Sequence, residues 1–197
     1  MAVTPSILVL GKEADTAEGD ERDLLERLAR GEAAVFDELV AAHQARLLRL
    51  ARRLLGWDPQ SEDVVQEVFL VALRRIGRFE GRSSLATWLA AITVRMCRRW
   101  RRRRWMWWKW LRRARSEKRP AAESSPPAER DETCQRVRRA VQELSAADRE
   151  VIVLYYLEEM SAADMAQVLE ISPNAVGVRL HRARERLRGK LEELLEE

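Results

Sequence analysis

The sequence predicts an all-α protein: two small helical domains joined by a flexible linker, with a helix-turn-helix in the C-terminal domain. Three observations carry that prediction. Apolar residues recur at three-and-four spacing along most of the chain, the pattern of helices that bury one stripe. Helix-start boxes, Ser145 with Asp148 and Ser161 with Asp164, and glycine stops at Gly31 and Gly56 punctuate those runs. Between residues 116 and 130 the composition shifts to Pro, Ala, Ser and Glu, which breaks the pattern and marks a linker.

Taken in order, residues 1–19 are polar and read as a disordered lead-in, and residues 20–115 form the first domain. Leu24, Leu25 and Leu28 give a short helix that ends at Gly31. A longer helix from Ala33 to about Leu55 presents Phe36, Leu39, Val40, Leu47, Leu50, Ala51 and Leu54, and Gly56 stops it. Asp58-Pro59 restarts a third helix whose inner face is Val64, Val65, Val68, Phe69, Ala72, Leu73 and Ile76. Gly77 and Gly81 bracket a short loop. Then Leu85, Trp88, Leu89, Ile92 and Met96 form another inward stripe, while Arg95, Arg98 and Arg102 gather on a different side. Trp100, Trp105, Trp107, Trp108 and Trp110 follow among arginines, scattered around a helical axis rather than lined up on one face.

Residues 131–197 form the second domain, opening with a helix to about Leu144. The run Val151 to Tyr156 is β-prone by itself, but it is short, capped and set among helices, so it reads as helix. Met165, Val168 and Leu169 face a short helix inward. Ser172-Pro173 starts the next, because Ser is a favoured N-cap and Pro fits the first helical position. On that last helix Val176, Leu180, Ala183 and Leu187 fall on one stripe. Opposite them lie Asn174, Ala175, Val178, His181 and Arg182, flanked by Arg179 and Arg186 on one shoulder and Arg184 and Arg188 on the other. Short helix, turn and longer basic helix is the arrangement that lays its second helix in the DNA major groove.

Charge supports a polyanion partner locally rather than globally. The net charge of the 197 residues is only +4, yet from Arg98 to Arg119 twelve basic residues stand against the single acid Glu117. Cys97 and Cys134 lie far apart without neighbouring His or Cys, so neither a disulfide framework nor a metal site is implied, and a reducing cytoplasm is the expected compartment. No apolar run approaches the ~20 residues of a membrane span. His43 and His181 stand in unrelated helices, and the sequence offers no catalytic constellation, no cofactor motif and no small-molecule site.

Several segments together resemble the small two-domain extracytoplasmic function type of bacterial sigma factor. They are DVVQEVFLVAL at Asp63 to Leu73, LATWLAAI at Leu85 to Ile92, LSAADREV at Leu144 to Val151 and RLHRARERL at Arg179 to Leu187. The resemblance implies that Asp63, Gln66, Glu67 and Leu70 dock on core RNA polymerase. It implies that the loop Glu80, Gly81, Arg82, Ser83 and Ser84 captures an extruded base of the minus-ten promoter element, with Arg95, Arg98 and Arg102 on the phosphates. It assigns Asn174, Ala175, Val178, Arg179, His181, Arg182 and Arg186 to the minus-thirty-five element. The same resemblance implies control by an anti-sigma protein.

Other readings stay open on the residues alone. The helix-turn-helix also suits a regulator that binds operator DNA without polymerase. The Trp/Arg block has no counterpart in the family pattern. It suits stacking on unpaired bases, a membrane interface, or burial against the second domain or an inhibitor, the last favoured because exposed tryptophans invite aggregation.

Overall fold

The computed structural model describes residues 27, 28, 30, 32–114 and 132–196, and among these every regular element is helical. The lead-in, most of the helix expected between Asp20 and Gly31, and the linker lie outside the described residues. Leu28 is described and is buried.

Helix α1 spans Ala33–Leu55, α2 Ser61–Arg75 and α3 Leu85–Ala114, with a 3-10 turn at Ile76–Arg78. The expected stop after α1 is present. Gly56 adopts φ +80° and its N–H donates to the Arg52 carbonyl, a conformation that costs glycine little. The three helices pack mutually around Leu39, Leu47, Leu50, Leu54, Val68 and Leu89, all nearly inaccessible. These are the positions that the three-and-four spacing places inward.

In the second half, α4 is Glu132–Glu143, α5 Ala146–Ile152, α6 Ala162–Leu169 and α7 Pro173–Glu196. Both helix-start boxes form. The amides of Asp148 and Asp164 donate to the hydroxyls of Ser145 and Ser161, and each hydroxyl in turn donates to the carboxylate of its partner. The β-prone run is helical, α5 loosening into a π-helical turn at Val153–Leu157. Glu170 closes α6 in a left-handed conformation, φ 59°. The Ala175 amide donates to the Ser172 hydroxyl to start α7.

The two halves share one continuous apolar core. The reason lies in α3, which has two buried faces. Leu85, Leu89 and Ile92 face the first bundle, as the spacing predicts. Thr87, Ala91, Val94 and Arg98, again at helical spacing but on the opposite side, lie toward α6 and α5. Small side chains on that second face let the helices approach closely.

Candidate nucleic-acid interface

Helix α7 divides its surface as the sequence predicts. Val176, Leu180 and Ala183 are buried under it, and Asn174, Val178, His181, Arg182 and Arg186 are exposed, with Ala175 and Arg179 half-buried. Its cations have different local roles. Arg182 is exposed on the open face, whereas Arg186 donates to Asp148 at 2.6 Å. Burial pushes the Asp148 carboxyl upward, but hydrogen bonds from Ser145 and Arg186 outweigh it and hold it below the usual carboxylate range. Arg184 lies over Tyr155 at 4.9 Å and donates to the Tyr156 hydroxyl at 2.8 Å, which fixes its place on the shoulder.

The loop after α2 makes one wall of a cleft of about 270 Å³. Glu80, Arg82 and Ser83 line it, with Gly81 turning the chain at φ +65° and Ser84 capping α3 through the Thr87 amide. Phe79 and Trp88 meet edge to face at 5.4 Å and form its aromatic floor. Helical spacing does not single out Phe79, although an aromatic residue just before a polar loop is a usable signal. Trp88 is half-buried against the core, in keeping with its place in the apolar stripe, and also faces this cleft. The cleft is also lined by Gln167 of α6 and Glu170 at its C-terminal cap, both from the other half.

Two of the three arginines expected beside the loop are engaged across the junction. Arg95 pairs with Glu170 at 3.0 Å. Arg98 donates to both carboxylate oxygens of Glu150, at 2.7 to 3.2 Å, and Arg101 joins at 2.5 Å. Glu150 is 2% exposed, so its charge is compensated almost entirely by these guanidinium groups. The hydrogen bond to Glu150 is also the leading cause that raises the Arg98 pKa. Glu158 plays the same part lower down, accepting from Arg46 at 3.1 Å and Arg53 at 3.0 Å. Arg149 threads between the halves, donating to the carbonyls of Leu54 and Val141. Burial, reinforced by the charge of Arg101, lowers its pKa to about 10. Arg102 stays exposed. No spacing rule points to Glu150 or Glu158, whose partners lie about 50 and 105 residues away.

On α2, Asp63 and Gln66 are exposed, Leu70 is 52% exposed and Glu67 is half-buried, 3.9 Å from Arg99. They form a continuous outer strip together with Leu73, which the apolar spacing places on the inner face but which is 45% exposed.

The Trp/Arg block continues α3 without a break. Trp100 packs on the first bundle and donates to Gln60 at 2.8 Å, with Arg104 over its ring at 5.0 Å. Trp105, Trp107 and Trp110 are 59%, 54% and 66% exposed, so the expected burial against the second domain does not occur for these three. The junction ends near Arg101, and the helix runs past it. Among the described residues no cluster could hold a metal ion, and no helix is long and apolar enough to cross a membrane. Cys97 is buried, and that burial pushes its thiol up to about 12, outside the reactive range.

Two helical units, one carrying a helix-turn-helix and the other a basic helix beside a polar loop, are the arrangement that the resemblance to sigma factors implies. Comparison with known families agrees: residues 39–106 match sigma-70 region 2 and residues 134–187 match sigma-70 region 4. The chain is 30% identical over 202 residues to the RNA polymerase sigma-H factor of Pseudomonas aeruginosa, covering 92% of this chain and 98% of that protein. It is 34% identical over 174 residues to the RNA polymerase sigma-E factor of Streptomyces avermitilis, covering 84% and 89% respectively. Among solved structures it is similar to CnrH in complex with the cytosolic domain of CnrY, at 29% identity and a TM-score of 0.64, over 88% of this chain and 97% of that one. The fold also matches the sigma factor RpoE of Bartonella quintana, in complex with the anti-sigma factor NepR, at 24% identity and a TM-score of 0.67 over 80% and 96%. The chain belongs to the sigma-70 family, among its extracytoplasmic function members.

Proposed function

We propose that this protein is a promoter-specificity subunit: it binds core RNA polymerase and directs it to a defined set of promoters, and performs no catalysis of its own. The observation that carries the reading is the split surface of α7, with an apolar stripe buried and a polar and basic face open, on the same chain as a basic helix beside a polar loop. In this reading the strip Asp63, Gln66, Glu67 and Leu70 docks on polymerase. The cleft floored by Phe79 and Trp88 takes an unpaired base of the minus-ten element, whose edges meet Glu80, Ser83 and Ser84. The outer face of α7 sits in the minus-thirty-five major groove, where Val178 offers a thymine methyl an apolar contact.

The closed arrangement bears on that function directly. Arg95 and Arg98, intended for phosphates, hold carboxylates of the second half, and α6 walls the base cleft. The halves must part before both DNA surfaces can work. An anti-sigma protein that keeps them together is the fitting regulator; the similar CnrH was solved in complex with the cytosolic domain of CnrY. The protein then resides in the cytoplasm, on the nucleoid when active.

The test is direct capture by core polymerase. Wild-type protein is expected to co-elute with core, and Leu70→Asp to weaken that binding by about 30-fold, the loss of one central apolar contact. Failure of the wild type to bind core at any salt concentration would reject the proposal.

A further inference from the structure

The most exposed aromatic surface among the described residues, Trp105, Trp107 and Trp110, has no part in polymerase docking or in the two promoter contacts. From Leu85 to Ala114 helix α3 carries ten basic residues and no acidic one. Its first part is used: Arg95, Arg98 and Arg101 are paired across the junction, and Arg104 is paired with Asp58. Beside and beyond them the helix presents Arg102, Arg103, Met106 and Lys109 to solvent among three exposed indoles. Lys109 lies over the Trp105 ring at 5.1 Å, so cation and ring already share one site.

We propose that this tip of α3 is a binding surface for unpaired DNA, stacking bases on Trp105, Trp107 and Trp110 while Arg102, Arg103 and Lys109 neutralise the phosphates. The inference rests on the promoter-directed reading and extends it. Two observations select the occupant. The tip continues the helix of the region that matches sigma-70 region 2, and that match ends at residue 106, so the surface adjoins the DNA-directed module. Its charge is wholly positive, which suits a polyanion.

Geometry separates a nucleic-acid strand from a lipid surface. A helix lying in a bilayer interface needs its apolar side chains on one face. Trp105 and Trp107 are two residues apart, hence about 200° apart around the axis, and cationic residues stand between the rings. A flexible strand wrapping the tip can meet each ring in turn, and stacking on aromatic rings is tolerant of sequence. Duplex DNA offers phosphates to the arginines but no free base to the indoles.

The experiment uses the full chain and the variant W105A/W107A/W110A, with melting followed by circular dichroism to show that both fold alike. Binding is measured to labelled oligo(dT) of about twenty nucleotides, to a duplex of the same length, and to vesicles of three parts phosphatidylcholine to one part phosphatidylglycerol. The expected result is a loss of about a hundredfold or more in oligo(dT) affinity, with duplex affinity changed by less than about threefold. Replacing the three residues by Phe restores most of the oligo(dT) affinity. Equal oligo(dT) binding by wild type and the Ala variant overturns the proposal. So does tryptophan-dependent capture by vesicles that oligo(dT) does not compete away. Binding to core polymerase, measured on the same preparations, distinguishes failure of this surface from failure of the functional reading.

Discussion

Replacing Glu150 by Gln is the perturbation that bears most on the closed arrangement. The carboxylate is 2% exposed and accepts from Arg98 Nε and Nη2 and from Arg101 Nη2, the shortest contacts being 2.7 and 2.5 Å. Glutamine keeps one acceptor oxygen, loses the charge, and turns an N–H group toward two guanidinium groups. Breaking a buried ion pair on one side costs about 3–5 kcal/mol. Here the two arginine side chains retain 30% and 23% exposure and can turn partly to water, which points to the lower end, about 3 kcal/mol. That is a factor of roughly 150 in the ratio of closed to open molecules. Small-angle scattering should record a larger radius of gyration for E150Q, and the melting temperature should fall by about 6–12 °C. Adding Arg98→Met should cost less on the E150Q background than on wild type, because the partner is already lost. A variant with unchanged dimensions and a melting temperature within about 2 °C of wild type would refute the assignment of Glu150 as a tie between the halves.

Two further outcomes follow from individual side chains. Arg182→Ala removes an exposed cation from the outer face of α7. Promoter affinity of the polymerase complex should fall, and the slope of log affinity against log salt should shrink by about one, as for a lost phosphate contact; an unchanged slope would place Arg182 off the DNA. His43 in α1 has its pKa lowered from 6.5, first by burial and then by the charge of Arg46. The folded protein therefore takes up its proton less readily than the unfolded chain, so stability is full above about pH 6.5 and declines as pH falls below it. Melting curves between pH 7.5 and 5.5 should show this loss, and His43→Gln should lessen it.

Local structure was largely legible in the sequence because its causes are local. The serine caps at Ser145, Ser161 and Ser172 and the glycine stop at Gly56 each act within a few residues. The stripe Val176, Leu180, Ala183 identifies the buried side of α7, and hence its open side, from spacing alone. The second buried face of α3 was not legible. Thr87, Ala91 and Val94 are small or polar enough to pass for an outer surface, and only contact with α5 and α6 gives them a role. Glu150 and Glu158 look like ordinary solvated acids until their arginines, distant in sequence, arrive beside them. The Trp/Arg block failed for a different reason. Hydrophobicity argues for burial of tryptophan, yet residues 85–114 contain neither Gly nor Pro, so the helix continues past the bundle and carries its indoles into solvent.

This chain is expected to confer promoter choice on polymerase, and only in the complex. Run-off transcription with purified core enzyme on a library of genomic promoter fragments measures it most directly. The expected result is discrete transcripts from promoters sharing two spaced elements, appearing only when both protein and core are present, and weak binding of the same fragments by the protein alone. Full-strength, sequence-specific binding by the isolated protein, with no change in what core transcribes, would contradict it.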